Sequence, residues 1–303
     1  MELSVIIVSF NTKELLRKCI DAVKETLGES AHEIIIVDNF STDGSPAMIE
    51  TEYENVILLK NKSNVGFAKA NNQAVKIARG KYILLLNSDA FVSGHCIEAL
   101  IQFMDSHPRA AAVGPKVLNK DGTLQSKGHI APSIIWSLIK LFGINMLLPL
   151  KIKYKILPKF YWDEDTPTKV DWLSGCCILL SSDAINVIGR LSEEYFLYYE
   201  ETDWCHRARK NKYEIWYEPR AVVSHVNRAS PNDFYDKHLR ASKLIYFRKS
   251  GKINGVAISF ITLLTFVIRY IFIAMIRDDK NAIMLKDNIS EEWCFLKDIM
   301  RFS

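Results

Sequence analysis

The segment YILLLNSDAFV, Tyr82 to Val92, runs a strand-like apolar stretch directly into Asn87-Ser88-Asp89. Side chains alternate along extended chain, so Asn87 and Asp89 are expected on one side and Ser88 on the other. A single carboxylate placed there suits a hard cation such as magnesium, which takes one or two carboxylates and fills its remaining positions with water and phosphate oxygens. A second constellation, VDNFSTDGS, offers Asp38, Ser41 and Asp43 around Gly44. A carboxylate just beyond a strand can accept hydrogen bonds from a base N–H or a ribose hydroxyl. A third, YYEETDW, crowds Glu200, Glu201 and Asp203. Neighbouring carboxylates repel one another and raise at least one apparent pKa, which suits a proton acceptor working near neutrality. The alternative is a helix start whose acids complement the helix dipole. His225, in PRAVVSHVNRAS, has no ligand-spaced partner nearby in sequence, and such a histidine is more often structural.

These residues need elements to position them. LSVIIVS, EIIIVD, NVILLK, KYILLLN and AAAVGPKVL read as strands, and helical periodicity lies between them, as in Leu15, Leu16, Cys19, Ile20, Val23 and Leu27. Asn11 followed by Glu14 has the spacing of a capping box. Continuous apolar strands separated by helices predict a mainly parallel, doubly wound α/β sheet covered on both faces. Ligands of such sheets bind beyond the carboxyl ends of the strands. Ser9, Asn11, Asp38, Asn39, Asn61, Asn64, Asn87 and Asp89 all fall there. No GxGxxG or Walker loop follows the first strand, which argues against nicotinamide-cofactor enzymes and P-loop ATPases.

With 303 residues and 49% apolar composition the chain can bury a large core. Its six cysteines form no CxxC pair, which disfavours a disulfide framework or structural zinc and suggests a reducing compartment. The start, MELSVIIVSFN, lacks the basic region and length of a signal peptide. The net charge of +4 gives no reason to expect nucleic acid, but its distribution is uneven. Residues 133–160 hold five lysines and no acid among apolar residues. KHLRASKLIYFRKSGK then leads into the apolar run 255–276, interrupted by Arg269 and lightened by Ser259, Thr262 and Thr265. Apolar surface flanked by Lys and Arg suits anionic headgroups, so a membrane-associated helix is expected over a core helix.

SVIIVSFN, VDNFSTDGS, NVGFAKANN, LLLNSDA, WLSGCCILLSSDA and YYEETDWCHRARK follow one another in the order of the motifs of family 2 inverting glycosyltransferases with the GT-A fold, over roughly residues 1–250. The chain most resembles the rhamnosyltransferase-like branch of surface-polysaccharide synthesis. The resemblance implies a Rossmann-like nucleotide-sugar transferase sheet. Its nucleotide-sugar half would be residues 1–118, its acceptor and catalytic half 119–235, and a C-terminal helical segment 236–303. It implies that Asp38 binds the nucleobase beside Ser9 and Asn11. Asn64, Gly66, Phe67 and Asn71 would surround ribose and diphosphate. Asp89 would be the chief contact of a Mg or Mn ion, with Asn87 replacing the first acid of a DxD motif. His225 would touch the metal or diphosphate, and Trp172, Ser174 and Gly175 would shape the sugar pocket. Glu201 would be the general base, with Glu200 as its neighbour and Asp203 as the competing candidate. The implied partners are a nucleoside-diphosphate sugar, with dTDP-rhamnose ahead of a UDP-hexose, and a saccharide or polyprenyl-linked acceptor at the cytoplasmic face of the cell membrane. A non-catalytic nucleotide-sugar or carbohydrate-binding protein is the rival, motivated by Asn87 and Glu201. A sugar-phosphate nucleotidyltransferase would need a glycine-rich, Arg-bearing first loop, which VSFNTKELLRK does not provide.

Overall fold

The computed structural model describes residues 2–28, 32–143, 149–157, 160–226, 233–275 and 279–301. They form two compact units, residues 1–130 with 163–238, and residues 131–162 with 239–303.

The first unit opens with β1 (Leu3–Ser9), α1 (Lys13–Leu27), β2 (His32–Asp38), α2 (Ser45–Glu52), β3 (Val56–Lys60), α3 (Phe67–Val75) and β4 (Tyr82–Asn87). The strands pair in parallel in the order β3-β2-β1-β4. Leu16, Cys19, Ile20, Val23 and Leu27 form the buried face of α1 and join one core with Val5, Ile7, Leu84 and Leu86 of the sheet. Burying each large aliphatic side chain of this kind contributes about 1.5–3 kcal/mol. Register then sets the site: Ser9 lies opposite Asp38, and Val8 opposite Asn87, so the polar strand ends stand level along one edge.

After β4 come β5 (Ala90–Val92), α4 (Cys96–Ser106), β6 (Ala110–Leu118) and β7 (Leu124–Ser126). Helices α5 (Ile134–Leu141) and α6 (Leu150–Ile156) belong to the second unit. The chain returns with β8 (Thr168–Lys169), β9 (Cys177–Ser181), α7 (Ser182–Ile188), α8 (Glu200–Lys210) and β10 (Glu214–His225). The sheet is mixed beyond β4: β9 runs antiparallel between β4 and β6, β10 is parallel to β6, and β5 is antiparallel to β10. Strand β9, which comes later in the chain, takes the place beside β4.

Two local expectations are corrected. There is no capping box at Asn11 and Glu14. The N-cap of α1 is Thr12, and Asn11 sits in the left-handed region at φ 52° with its side-chain oxygen accepting from Thr42 N at 2.8 Å. Nor does extended chain carry Asn87 through Asp89. Ser88 and Asp89 form a turn between β4 and β5, so simple alternation does not govern their directions.

The second unit holds α5, α6, most of α9 (Asp233–Met275) and α10 (Asp279–Arg301). Helix α9 breaks at Gly251, whose φ of 136° an L side chain rarely adopts. Lys243 on one side of the break and Ser259 on the other both bond Glu292, at 3.1 and 2.5 Å. Trp136 stacks on Phe160 with ring centroids 4.8 Å apart. All six cysteines are free.

Candidate active site

At the end of β2, Asp38 is 2% exposed, and one carboxylate oxygen accepts from Ser41 N at 3.0 Å. Its other oxygen is buried and has no hydrogen-bond partner among the described residues. Such an atom ordinarily finds a partner, so it is available to a ligand donor. Ser9 sits beside it and shares a 3.0 Å hydroxyl contact with Thr12, which donates to Ser88 at 2.9 Å. Hydroxyls thereby link the Asp38 strand end to the turn that carries Asp89. Asn11 ties the two loops together, its N–H donating to Ser41 Oγ at 2.9 Å. Asp43 has a different task. It accepts from the N–H groups of Lys13 and Ser45, at 2.8 and 3.0 Å, capping α1 from the neighbouring loop. Burial opposes ionisation of Asp43, but the hydrogen bond from the Ser45 hydroxyl, with these two N–H donors, prevails and holds its carboxyl below the usual range.

The NVGF segment is organised by amides. Asn64 Oδ1 accepts from Asn39 Nδ2 at 2.8 Å and from Gly66 N at 3.0 Å, while Asn71 Nδ2 donates to Phe67 O at 3.0 Å. Phe67 N donates to Phe196 O at 2.7 Å, which docks the chain before α8 onto this segment. Gly66 has φ 85°, and a Cβ there would lie 2.6 Å from Phe196 O. Asn72, which motif reading overlooks beside Asn71, donates to Leu191 O at 2.8 Å and Glu193 Oε1 at 3.0 Å, and accepts from Leu191 N at 3.1 Å.

At the end of β4, Asn87 N donates to Cys176 O at 2.9 Å, and Asn87 Oδ1 is buried without a partner among the described residues. The antiparallel pairing of β10 with β5 brings His225 opposite Ala90, and His225 Nε2 lies 3.2 Å from Asp89 Oδ1. Gln125 is a second residue that sequence reasoning missed. Its Oε1 is 2.7 Å from His225 Nδ1, and its Nε2 donates to Asn119 Oδ1 at 2.8 Å. That second bond orients the Gln125 amide with its oxygen toward the ring, so His225 Nδ1 donates to it and Nε2 is turned toward the Asp89 carboxylate. The imidazole nitrogen and the carboxylate oxygen bond each other directly when Nε2 carries a proton, and without that proton they form a donor pair that fits a divalent cation. No local motif announces Gln125; only the hairpin of β6 and β7 delivers it.

Tyr198 and Tyr199, with φ of 70° and 68°, lead into α8, whose first turn carries Glu200, Glu201 and Asp203. Asp203 is engaged: Arg207 Nε donates to it at 2.8 Å and Tyr195 OH at 3.4 Å. Glu200 is 3% exposed, and its Oε2 has no partner among the described residues. Half-buried Glu201 accepts from Thr202 Oγ1 at 3.4 Å and lies against Gly175, its Oε2 3.8 Å from where a Cβ would stand. Burial raises both carboxyls, Glu201 to about 7, and the negative charge of Glu201 raises Glu200 further. Burial likewise pushes the Cys176 thiol up to about 12, helped by the negative charges of Asp89 and Glu201, which both act on this one thiol. Ser174 donates to Cys176 Sγ at 3.4 Å. Trp172 stacks on His129 with centroids 4.0 Å apart, which covers one face of its indole.

A mixed sheet whose parallel strands β3-β2-β1-β4 end in polar residues along one edge has the architecture of a GT-A glycosyltransferase domain. Residues 4–176 match the family model for glycosyl transferase family 2, and the chain belongs to that family. It is 28% identical over 227 residues to the N-acetylglucosaminyl-diphospho-decaprenol L-rhamnosyltransferase of Mycobacterium tuberculosis, covering 69% of this chain and 71% of that one. It is 24% identical over 218 residues to the low-salt glycan biosynthesis hexosyltransferase Agl10 of Haloferax volcanii, covering 71% and 64%. Among solved structures, the fold is shared with the mannosyltransferase PcManGT of Pyrobaculum calidifontis, in complex with GDP-Man and Mn2+, at a TM-score of 0.61 and 14% identity over 99% of this chain and 86% of that one. It is shared also with GalNAc-T7 carrying UDP, GalNAc and Mn2+, at 0.56 and 16% over 80% and 48%.

Proposed function

We propose that the protein transfers one sugar, with inversion at the anomeric carbon, from a nucleoside-diphosphate sugar to a saccharide or polyprenyl-linked acceptor in surface-polysaccharide synthesis at the cytoplasmic face of the cell membrane. The observation that carries this reading is that one short segment touches both halves of the site: Cys176 O accepts from Asn87 N at 2.9 Å at the end of β4, and the preceding Gly175 lies against the Glu201 carboxyl. This closeness supports a single site in which the diphosphate end of a donor meets the base that activates an acceptor. Asp38 receives the nucleobase on its unpartnered oxygen, with Ser9 and Asn11 shaping the turn. Asn64, Gly66, Phe67 and Asn71 hold the loop that lines ribose and diphosphate.

Asp89 and His225 would hold a Mg or Mn ion, which when bound stabilises the charge of the departing nucleoside diphosphate. Asn87 in place of an acid leaves one negative charge fewer, so metal binding leans on the donor's own phosphates. Glu201 takes the acceptor hydroxyl proton as the oxygen attacks. Glu200, more deeply buried, keeps its proton and leaves Glu201 as the member that ionises first. Asp203 holds Arg207 and thereby the start of α8. Trp172, Ser174 and Gly175 bound the sugar side of the site.

The rhamnosyltransferase relative supports dTDP-rhamnose as the first donor to try, with UDP-hexoses next. The test is a panel of sugar nucleotides with Mg or Mn, reading released nucleoside diphosphate in the presence of lipid-linked and free saccharides. Release dependent on donor, metal and acceptor is expected. Donor binding with no release for any acceptor would replace this reading with a non-catalytic nucleotide-sugar-binding protein.

A further inference from the structure

Residues 131–162 and 239–303 contain sixteen Lys and Arg against six Asp and Glu, in a chain whose whole excess is +4. The positive charge is therefore concentrated in the second unit. Within it, among the described residues, the segment Ile253–Ile271 of α9 is long and apolar enough to cross a membrane, and only 22% of it is buried.

At about 100° per residue, Ile253, Phe260, Leu264, Ile268 and Ile271 fall within about 80° of arc on that helix. All five are exposed, Ile253 at 85% and Phe260 at 57%. The opposite face carries buried Ile258, Ser259 and Thr265, and Gly255, where a Cβ would meet Ile299 Cδ1 at 2.8 Å. Helix α10 packs on this inner face. Ser259 donates to Glu292 while Gly255 meets Ile299, so the two helices run antiparallel and side by side. Were 253–271 to cross a bilayer, α10 would cross with it. Lys286, Asp287 and Glu291, all exposed, would then lie in hydrocarbon, where each charge is strongly disfavoured. On a bilayer surface the same residues stay wet. The apolar stripe alone enters the acyl boundary, and exposed Arg269, about 160° around the helix from Ile253, stays out of it.

We infer that α9 beyond Gly251 and α10 lie in the plane of an anionic lipid bilayer, with the stripe from Ile253 to Ile271 buried in it and the basic excess of the unit drawn to the headgroups. Exposed Ile135, Phe142, Ile152 and Ile156, set among Lys140, Lys151, Lys153 and Lys155, add a second apolar and basic element of the same unit. Two such elements together give stable attachment where one is marginal. This inference deepens, and rests on, the reading of a membrane-linked acceptor.

The test uses the full chain and sedimented vesicles of phosphatidylcholine with and without phosphatidylglycerol. Binding is expected to the anionic vesicles, to fall steeply with salt, and to be released by alkaline carbonate. Ile253→Asp with Phe260→Asp should weaken it roughly tenfold or more with thermal unfolding unchanged, because both side chains are already exposed. In a Cys294→Ser background, Lys286→Cys should react with a membrane-impermeant maleimide equally with and without vesicles. Equal binding to neutral vesicles, indifference to the double substitution, or resistance to carbonate with shielding of position 286 would each overturn in-plane attachment. Transfer to a water-soluble saccharide, measured in parallel, should be untouched by the double substitution. Vesicle binding without transfer in the wild-type chain would overturn the enzymatic reading and leave the surface attachment standing.

Discussion

His225 Nε2 stands 3.2 Å from Asp89 Oδ1, on the last residue of β10 and in the turn that ends β4. Antiparallel pairing of β10 with β5 makes the contact, and Gln125 orients the imidazole ring through Nδ1. A ligand's orienting partner is typically worth 10–100-fold in metal affinity. Gln125→Leu should therefore weaken Mn2+ binding by roughly tenfold or more, read by electron paramagnetic resonance in the presence of nucleoside diphosphate. Asp89→Ala should remove binding and transfer together, and an unchanged Mn2+ titration in Gln125→Leu would leave His225 as a purely structural contact.

Glu201→Gln is expected to retain donor binding and lose about 10²–10⁴-fold in transfer rate, the usual contribution of a positioned base. Asp203→Asn, by contrast, removes the charged partner of Arg207, whose guanidinium still donates to Ile188 O and Arg190 O, and should cost stability, by about 1–3 kcal/mol in thermal or urea unfolding. A dead Asp203→Asn beside an active Glu201→Gln would exchange the two roles.

The carboxyl pair also predicts a pH profile. Burial raises both groups above the ordinary carboxyl value of 4.5, Glu201 to about 7. Transfer needs the ionised base, so kcat should rise with pH through about 7 and level off above it. Stability moves the other way. The favourable contribution of the pair is complete below the ordinary carboxyl value and is lost as pH rises through the raised values. Unfolding temperature should fall from acid to neutral pH in the wild-type chain, and less so in Glu200→Gln with Glu201→Gln. A flat rate profile between pH 5 and 8 (a window set by about one unit on either side of the raised value) would argue against this base.

Asp38→Ala should raise the KM for the donor with a smaller change in kcat, because the lost bond is made equally in ground and transition states. Isothermal titration with the free nucleoside diphosphate should show the same loss. Affinity equal to wild type would place the base elsewhere.

Gly66→Ala is expected to destabilise the domain by about 1–3 kcal/mol and to reduce transfer even with saturating donor, since φ 85° and the 2.6 Å approach to Phe196 O admit no methyl group. Retained activity and unfolding temperature would mean that the loop before α8 can shift without consequence.

Much of the first half was legible because its signals are local. The apolar run of each strand of β1 to β4 and the helical spacing between them report burial directly, and the polar residues after each strand mark where it ends. What failed was geometry over a few residues: Asn11 holds the neighbouring loop instead of capping α1, and Asp89 lies in a turn instead of on extended chain. Gln125 and Asn72 were invisible because a glutamine or asparagine carries no periodic or charge signature; their partners, His225 and Leu191, lie far along the chain.

From sequence alone follow the α/β class, the polar strand ends and the ordered motifs of a glycosyltransferase, since each depends on residue type and short-range spacing. Only the tertiary structure inserts β9 beside β4, sets His225 against Asp89 and, among the described residues, pairs Asp203 and not Glu201 with an arginine. Those outcomes depend on which distant strands pair and on which side chains lose water when they do, and neither is written in any single stretch of the chain.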